Sequence, residues 1–408
     1  MNARGLWVLC GTLALASGAP AGAESWVVHA ELLHPVSGPA IPNGVVVVEG
    51  DRIAAVGAAG AVEIPAGAAE RRAAVVTPGL IDAHTSAGLS GLWNVASVRD
   101  QDEATDPDRA ELRAIDAFDP REPLLRYLLE HGVTLVQTGP GPAAPIAGQA
   151  AIFRTNGTSA DRMAVRAPSA VVFNLGETPK ATFGKEKKFP STRMGTAALI
   201  RARLAAARDR GRGRGWFGGS DGVDPGLEVL ALVVRGELPA IFTAHRADDI
   251  LTALRIAREF ELDAVVAGAT EAYLVRDELR AAGVPVLAGP VMERVSILER
   301  LNASYENPAF LKAAGIPFAL RSGFESYVPK NRVVLFEAAV AAANGLGAEA
   351  ALRAITLDAA RLLGVDEDRG SIEPGKRADL VLFDGDPFEY TSHVSAVLAG
   401  GRLVYERP

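Results

Sequence analysis

The 408-residue sequence has a single cysteine, Cys10, which lies in an N-terminal segment typical of a secretory signal. This segment has Arg4, an apolar run over residues 6–16 and small residues at 21–23. A run of roughly 11 apolar residues is well short of the ~20 that span a bilayer. We therefore expect residues 1–23 to be a cleaved signal peptide and the mature protein to be periplasmic or secreted. It would have no thiol for a disulfide, a nucleophile or a metal ligand.

The chain also has no excess of positive charge. Its 42 Lys and Arg residues are outnumbered by 49 Asp and Glu residues, which gives a net charge of −7. Nucleic acids and anionic membrane surfaces bind clustered positive charge. We therefore expect no nucleic-acid partner and, after signal cleavage, no membrane partner. A small-molecule substrate or ligand is the expected partner instead.

Short strand-like runs lie at both ends of the mature chain, over residues 24–76 and 365–408. Gly50 and Asp51 separate two apolar runs as a two-residue turn, and Gly400 and Gly401 do the same near the C-terminus. Neither end has enough strands to cover its own apolar face. We therefore predict that the two ends meet in one small composite β-sandwich.

Apolar runs alternate with helical patterns through residues 77–364, which predicts a second, larger domain of the α/β class. The runs are mostly continuous, as expected for parallel strands buried on both faces; they lie at 132–139, 239–246, 263–270, 284–290 and 316–323. We predict a (β/α)8 barrel of the TIM type, with its site at the carboxyl ends of the strands.

Three separated motifs resemble the amidohydrolase superfamily and, within it, the exported imidazolonepropionase-like amidohydrolases. They are "TPGLIDAH", "TAHRADDI" and "GSIEPGKRADLVLFDGDP", in that order along the chain. The resemblance implies hydrolysis of a carbon-nitrogen bond in a cyclic amide, an amino-acid amide or a dipeptide-like substrate, by water activated on one or two divalent ions. It also implies a typical ligand set: a His-x-His pair on the first strand, a carboxylate or carbamylated lysine mid-barrel, histidines on the fifth and sixth strands, and an aspartate ending the eighth.

Several of these ligand positions are substituted. His84 matches the first histidine of the pair, but Ser86 stands where the second is expected. His245 matches the fifth-strand ligand. Gly268 stands at the sixth-strand place, and the eighth strand ends in "SG" at 322–323 with no aspartate. With six histidines in all, the chain has nothing left from which to build a binuclear site.

The mid-barrel ligand has two candidates, Glu177 and Lys180. One divalent ion, Zn or Mn, held by His84, Glu177 and His245 with a water in the fourth position, is chemically permissible. The alternative is that no ion binds and that the two histidines are polar residues at the barrel rim.

Three carboxylates near the strand ends have other expected roles. Asp82 is expected to orient a strand end, whereas Glu271 and Glu325 are candidate replacement acid or base groups. The leading interpretation is a carbon-nitrogen hydrolase of this superfamily with a depleted metal site. The alternative is a non-catalytic protein, a pseudoenzyme that binds a ligand or assembles as a homo-oligomer or with an intact relative.

Overall fold

A computed structural model describes residues 25–93, 95–211, 224–324 and 333–408. The expected signal peptide, Cys10 and Glu325 lie outside the described residues. The strands are β1 (Ser25–Leu33), β2 (Ile41–Glu49), β3 (Arg52–Ala58), β4 (Ala69–Pro78), β5 (Leu80–Thr85), β6 (Val133–Thr138), β7 (Ile146–Arg154), β8 (Ala164–Asn174), β9 (Ala240–Ala244), β10 (Ala264–Gly268), β11 (Val286–Ala288), β12 (Phe318–Leu320), β13 (Leu380–Phe383), β14 (Val394–Ala399) and β15 (Arg402–Glu406).

Helices follow most strands of the middle segment. They are α1 (Ala114–Ala117), α2 (Pro123–Glu130), α3 (Ala160–Met163), α4 (Glu177–Gly184), α5 (Arg193–Gly211), α6 (Pro225–Val234), α7 (Ala247–Phe260), α8 (Arg276–Ala282), α9 (Asn307–Ala313), α10 (Val334–Ala341), α11 (Ala348–Ala354) and α12 (Leu357–Leu362). Single turns of tighter helix lie at Ala96–Val98, Ala272–Leu274 and Leu298–Arg300, and a wider turn lies at Ala342–Leu346. No helix in the described part of the chain is long and apolar enough to cross a membrane.

The strands from both chain ends form one seven-stranded sheet in the order β15-β14-β13-β4-β1-β2-β3, which confirms the composite end domain. Residues from opposite sides of this order, such as Val48 and Leu398, belong to one buried cluster, so the sheet folds over and encloses its own core. Its other face packs on the barrel through Val381, Phe383 and Val397.

Both predicted turns are present in this sheet. Gly50 separates β2 from β3 with φ +63°, and Gly400 and Gly401 separate β14 from β15 with φ +56° and +71°. The two turns also touch each other, because a Cβ on Gly401 would collide with the carbonyl oxygen of Gly50. Glycine is therefore required at 401 both by its backbone conformation and by this close approach.

The remaining strands form an eight-stranded sheet in chain order from β5 to β12. A bridge between Thr85 and Gly323 joins its first and last strands, supported by a 3.0 Å hydrogen bond from Gly323 N to His84 O. The predicted barrel is confirmed, and the carboxyl ends of β5, β9, β10 and β12 meet at one mouth.

One strand departs from the expected all-parallel barrel. β7 pairs antiparallel with both β6 and β8, whereas the other neighbours in the sheet are parallel. The reason is the connection at 139–145, which is too short for the crossover of a dozen or more residues that parallel neighbours need. The Gly- and Pro-rich segment there instead forms a loop at the barrel mouth.

Candidate functional site

His84 and His245 line the same pocket at the carboxyl ends of the barrel strands. His84 lies near the end of β5 and His245 directly follows β9, so the first and fifth strands place the two imidazoles on the same side of the barrel. The pocket has a volume of about 30 Å³, room for a group the size of one or two waters. A larger groove, about 550 Å³, lies on the end sheet, and none of the predicted site residues lines it.

The hydrogen bonds of His245 fix which of its nitrogens carries the proton. The Thr270 hydroxyl donates its single hydrogen to Glu293 Oε2 at 2.7 Å, so it can only accept from His245 Nδ1, which is also 2.7 Å away. Burial and the guanidinium groups of Arg300 and Arg321 hold the pKa of His245 well below its usual range. His245 is therefore neutral, with the lone pair of Nε2 left as an acceptor.

His84 is buried and neutral as well. Burial, and to a lesser degree the charge of Arg321, lowers the pKa of its imidazole to about 3. Its Nδ1 has no hydrogen-bond partner among the residues that the structure describes. The ring also touches the loop after β6, because a Cβ on Gly139 would lie 2.8 Å from His84 Cε1.

Asp82, two residues before His84, joins the first and last barrel strands. Its carboxylate accepts hydrogen bonds from Ser322 N at 3.0 Å and from the Ser322 hydroxyl. Burial raises the pKa of Asp82 to about 6, although the bonds from Ser322 and His84 N favour its ionised form. The expected role in orienting a strand end fits these contacts.

Glu177, the third predicted ligand, begins helix α4 and is half-buried. Its backbone N–H donates to Glu299 Oε2 at 2.6 Å, but neither Glu177 nor the exposed Lys180 lines the pocket. No group of three or more His, Cys, Asp and Glu side chains that could hold a metal ion is found within 25–93, 95–211, 224–324 and 333–408. The ligand role of His84, Glu177 and His245 stays a prediction.

Glu271, a candidate replacement acid or base, is committed to a structural role. Its Oε2 accepts from Ala247 N at the start of α7 at 2.8 Å, and its Oε1 accepts from Asn302 Nδ2 at 2.7 Å. It does not line the pocket.

Arg321 lines the pocket and was not anticipated from the sequence. It directly follows β12, is 5% exposed, and donates Nε–H to the carbonyl oxygen of Gly289 at 3.0 Å. Burial lowers the pKa of its guanidinium to about 10, so it stays charged at neutral pH. A charged residue at the end of a buried strand is the sequence signal that could have identified this position.

The guanidinium of Arg321 lies next to the backbone of Gly323. A Cβ on Gly323 would be 3.4 Å from Arg321 Cζ and 3.5 Å from Nη2. A Cβ on Gly268 would likewise be 2.8 Å from His245 Cε1. The resemblance leads one to expect a ligand at each of these two positions. At Gly323 and Gly268 a neighbouring side chain instead lies against the place that a Cβ would take.

Comparisons with known proteins match this architecture. The model of the amidohydrolase family matches residues 331–405. The amidohydrolase tasK of Hapsidospora irregularis is 27% identical over 82% of this chain and 36% of its own length, so the chain spans about a third of that relative. The imidazolonepropionase of Paracoccus denitrificans is 26% identical and is matched over 95% of its length by 89% of this chain.

A solved structure gives the strongest of these similarities. The amidohydrolase from Thermotoga maritima MSB8 is 32% identical to this chain, with a TM-score of 0.87, and the match covers 94% of this chain and 100% of that one. The chain belongs to the amidohydrolase superfamily. Members of this superfamily usually bind a metal ion at the barrel mouth.

The donor set of this amidohydrolase-superfamily protein does not fit a metal centre. Two imidazoles, His84 and His245, meet in the pocket, and the described lining residues add one carboxyl group, Glu299. That carboxyl group already accepts the hydrogen bond from Glu177 N and faces Arg193 at 3.9 Å. A buried guanidinium shares the pocket, and such a cation opposes a second cation at close range.

Proposed function

We propose that this amidohydrolase-superfamily protein binds a small molecule at its barrel mouth without the metal-activated hydrolysis that is usual for its relatives. The observation that carries the proposal is Arg321, whose buried guanidinium lines the same pocket as His84 and His245. The names of its relatives, amidohydrolase and imidazolonepropionase, favour a ligand related to cyclic amides or amino-acid amides.

The repulsion between the guanidinium of Arg321 and a divalent ion in the same pocket supports this proposal. At a separation of about 5 Å and an effective dielectric constant of about 20, a guanidinium and a divalent ion repel each other by roughly 7 kcal/mol. Micromolar metal binding amounts to only about 8 kcal/mol. A repulsion of this size would offset much of such binding, which favours a pocket without a metal ion.

Elemental analysis of protein purified without chelators tests the proposal. We expect no stoichiometric Zn, Mn or Fe, and no turnover of dipeptides or cyclic amides whether or not a chelator is present. His245→Ala should then differ from the wild type in ligand binding but not in turnover. His393→Ala, a half-exposed histidine of the end domain, is the matched control. One tightly held ion together with turnover that both a chelator and His245→Ala abolish would overturn the proposal.

The second candidate is hydrolysis through a single divalent ion, Zn or Mn, bound by His84, Glu177 and His245. Its support is that burial keeps both imidazoles in the neutral form that binds metals. The same elemental analysis decides between the two candidates. Under this candidate Glu177→Gln would lower the metal content, whereas under the first it would change nothing at the pocket.

A non-hydrolytic member can also act as an assembly partner, and we include this role in the proposal. Superfamily barrels present exposed outer helices through which a homo-oligomer, or a hetero-oligomer with an intact relative, can form. Co-expression with an intact relative encoded in the same organism, followed by size-exclusion chromatography and mass measurement, tests it. Elution of each protein at its own monomer mass would contradict it.

Export to the periplasm or beyond is proposed on the N-terminal sequence alone. Mass spectrometry of the protein from its native host should find a mature N-terminus at Glu24. An intact N-terminus in the cytoplasmic fraction would contradict export.

A further inference from the structure

We propose that the barrel mouth is an oxyanion site in which Arg321 binds the carboxylate group of a small ligand. The inference rests on the proposed function, a pocket that binds a small molecule without a metal ion.

The first support is that no carboxylate among the described residues contacts the guanidinium of Arg321 directly. Apart from its Nε–H bond to Gly289 O, the guanidinium makes no hydrogen bond or ion pair with any residue that the structure describes. The negative charges of Glu293 and Asp82 favour this cation, but neither carboxylate contacts it directly. A cation that is 5% exposed and has no carboxylate in direct contact is expensive to keep in a folded protein. A bound anion would remove that cost, and the flat fork of a guanidinium matches the two oxygens of a carboxylate.

The second support is the balance of charge around the pocket. Arg300 lines it as well, and its Nε pairs with Glu293 Oε1 at 2.9 Å. Glu299 is the only carboxyl group among the described lining residues, and it is held by Glu177 N and by Arg193. Arg321 therefore interacts with the carboxylates of Glu293 and Asp82 only at longer range, and Glu293 is already paired with Arg300.

The third support is the shape and polarity of the pocket. Its volume of about 30 Å³ suits a carboxylate-sized group. Thr243, two residues before His245 on β9, brings a hydroxyl to the same wall. Pro140, Pro142 and Phe324 give the outer wall an apolar character, which suits a short aliphatic or amide body behind the carboxylate.

Pairs of isosteric probes test the site directly. Acetate and propionate are compared with acetamide and propionamide, by thermal unfolding at constant ionic strength, with and without the neutral chelator 1,10-phenanthroline. We expect 100 mM propionate to raise the Tm of the wild type by about 3 °C, which corresponds to binding in the low-millimolar range, and propionamide to have no effect. Inorganic phosphate, run beside them, distinguishes a carboxylate site from a phosphate site.

Two variants locate the effect. Arg321→Gln should weaken propionate binding by about 30-fold or more, because it removes the charged partner. Arg126→Gln removes the same charge from the outer face of α2, where the side chain is largely exposed, and should leave the propionate shift unchanged. Each variant is compared with its own Tm without ligand, so a change in stability does not obscure binding.

The outcomes separate this inference from the proposed function. Equal stabilisation by propionate and propionamide, or no stabilisation by either, would overturn the oxyanion site and leave metal-free ligand binding in place. Stabilisation by phosphate alone would overturn the carboxylate assignment. A propionate effect that disappears with the chelator would overturn the proposed function itself. If Arg321→Gln fails to fold, the comparison of propionate with propionamide in the wild type still shows whether the pocket binds a carboxylate.

Discussion

The ring of His245 lies so close to Gly268 that a Cβ at that position would be 2.8 Å from His245 Cε1. Side-chain carbons do not approach this closely in proteins, so either the ring or the backbone would have to shift. The φ of Gly268 is +84°, in the region that side chains disfavour. The position where the resemblance leads one to expect a ligand is therefore closed to any side chain as long as His245 keeps its place.

Gly268→Ala tests this closure. We expect a loss of about 3 kcal/mol in the free energy of unfolding, from the backbone conformation and from contact with the ring together. Gly283→Ala is the matched control, because Gly283 has a φ of +66° and nothing within 4 Å of a built Cβ. It should cost only about 1 kcal/mol in urea denaturation. Equal losses in the two variants would show that His245 does not close the position.

Arg321 and Arg369 are both buried arginines, but only Arg369 is in direct contact with a carboxylate among the residues that the structure describes. Arg369 pairs with Asp379, and both side chains are nearly buried. Arg369→Met should destabilise the protein by roughly 3–5 kcal/mol because it leaves a buried carboxylate unpaired. Arg321→Met removes a buried charge that interacts with Glu293 and Asp82 only at longer range, so it should leave stability unchanged or raise it by about 1–2 kcal/mol. A loss from Arg321→Met as large as that from Arg369→Met would show that the guanidinium has a structural role instead.

The barrel mouth illustrates which features a sequence can predict. The strands of 132–139 and 263–270 follow from local apolar runs, and the meeting of His84 with His245 follows from their places after the first and fifth strands. The antiparallel β7 was missed because its direction depends on the length of the connection before it, not on its own residues. Arg321 was missed because its importance lies in having no carboxylate in direct contact, which is set by residues far away in the chain.

The bond between Ser322 and Asp82 closes the barrel, and Ser322→Ala removes its hydroxyl. A hydrogen bond to an ionised carboxylate contributes roughly 1.5–3 kcal/mol, so we expect a loss of about 2 kcal/mol. Ser395→Ala is the control, since its hydroxyl donates to the neutral carbonyl oxygen of Leu382 at 3.1 Å and should cost about 1 kcal/mol. Hydrogen exchange of the amides in β5 and β12 should quicken only in Ser322→Ala. Unchanged exchange there would contradict the closing role.

The carboxyl group of Glu122 is expected to make the free energy of unfolding depend on pH. It precedes α2, accepts hydrogen bonds from Leu92 N at 2.8 Å and Leu124 N at 2.9 Å, and burial nevertheless raises its pKa to about 7. The folded state therefore binds a proton more tightly than the unfolded state, whose carboxyl group has a pKa near 4.5. Between about pH 4.5 and 7 the folded state holds more protons, so this group makes the free energy of unfolding fall as the pH rises.

The expected fall from Glu122 is about 3 kcal/mol, and Glu122→Gln should abolish that part of the pH dependence. Urea denaturation at pH 4.5 and pH 7.5 gives the change in the free energy of unfolding with pH for the wild type and for the variant. The difference between these two changes is the contribution of Glu122, because any loss from altered helix capping is the same at both pH values and cancels. Glu130→Gln, on the same helix and partly exposed, should follow the wild type at both pH values. Parallel pH profiles for the wild type and Glu122→Gln would show that this carboxyl group is ionised throughout, with its backbone hydrogen bonds outweighing its burial.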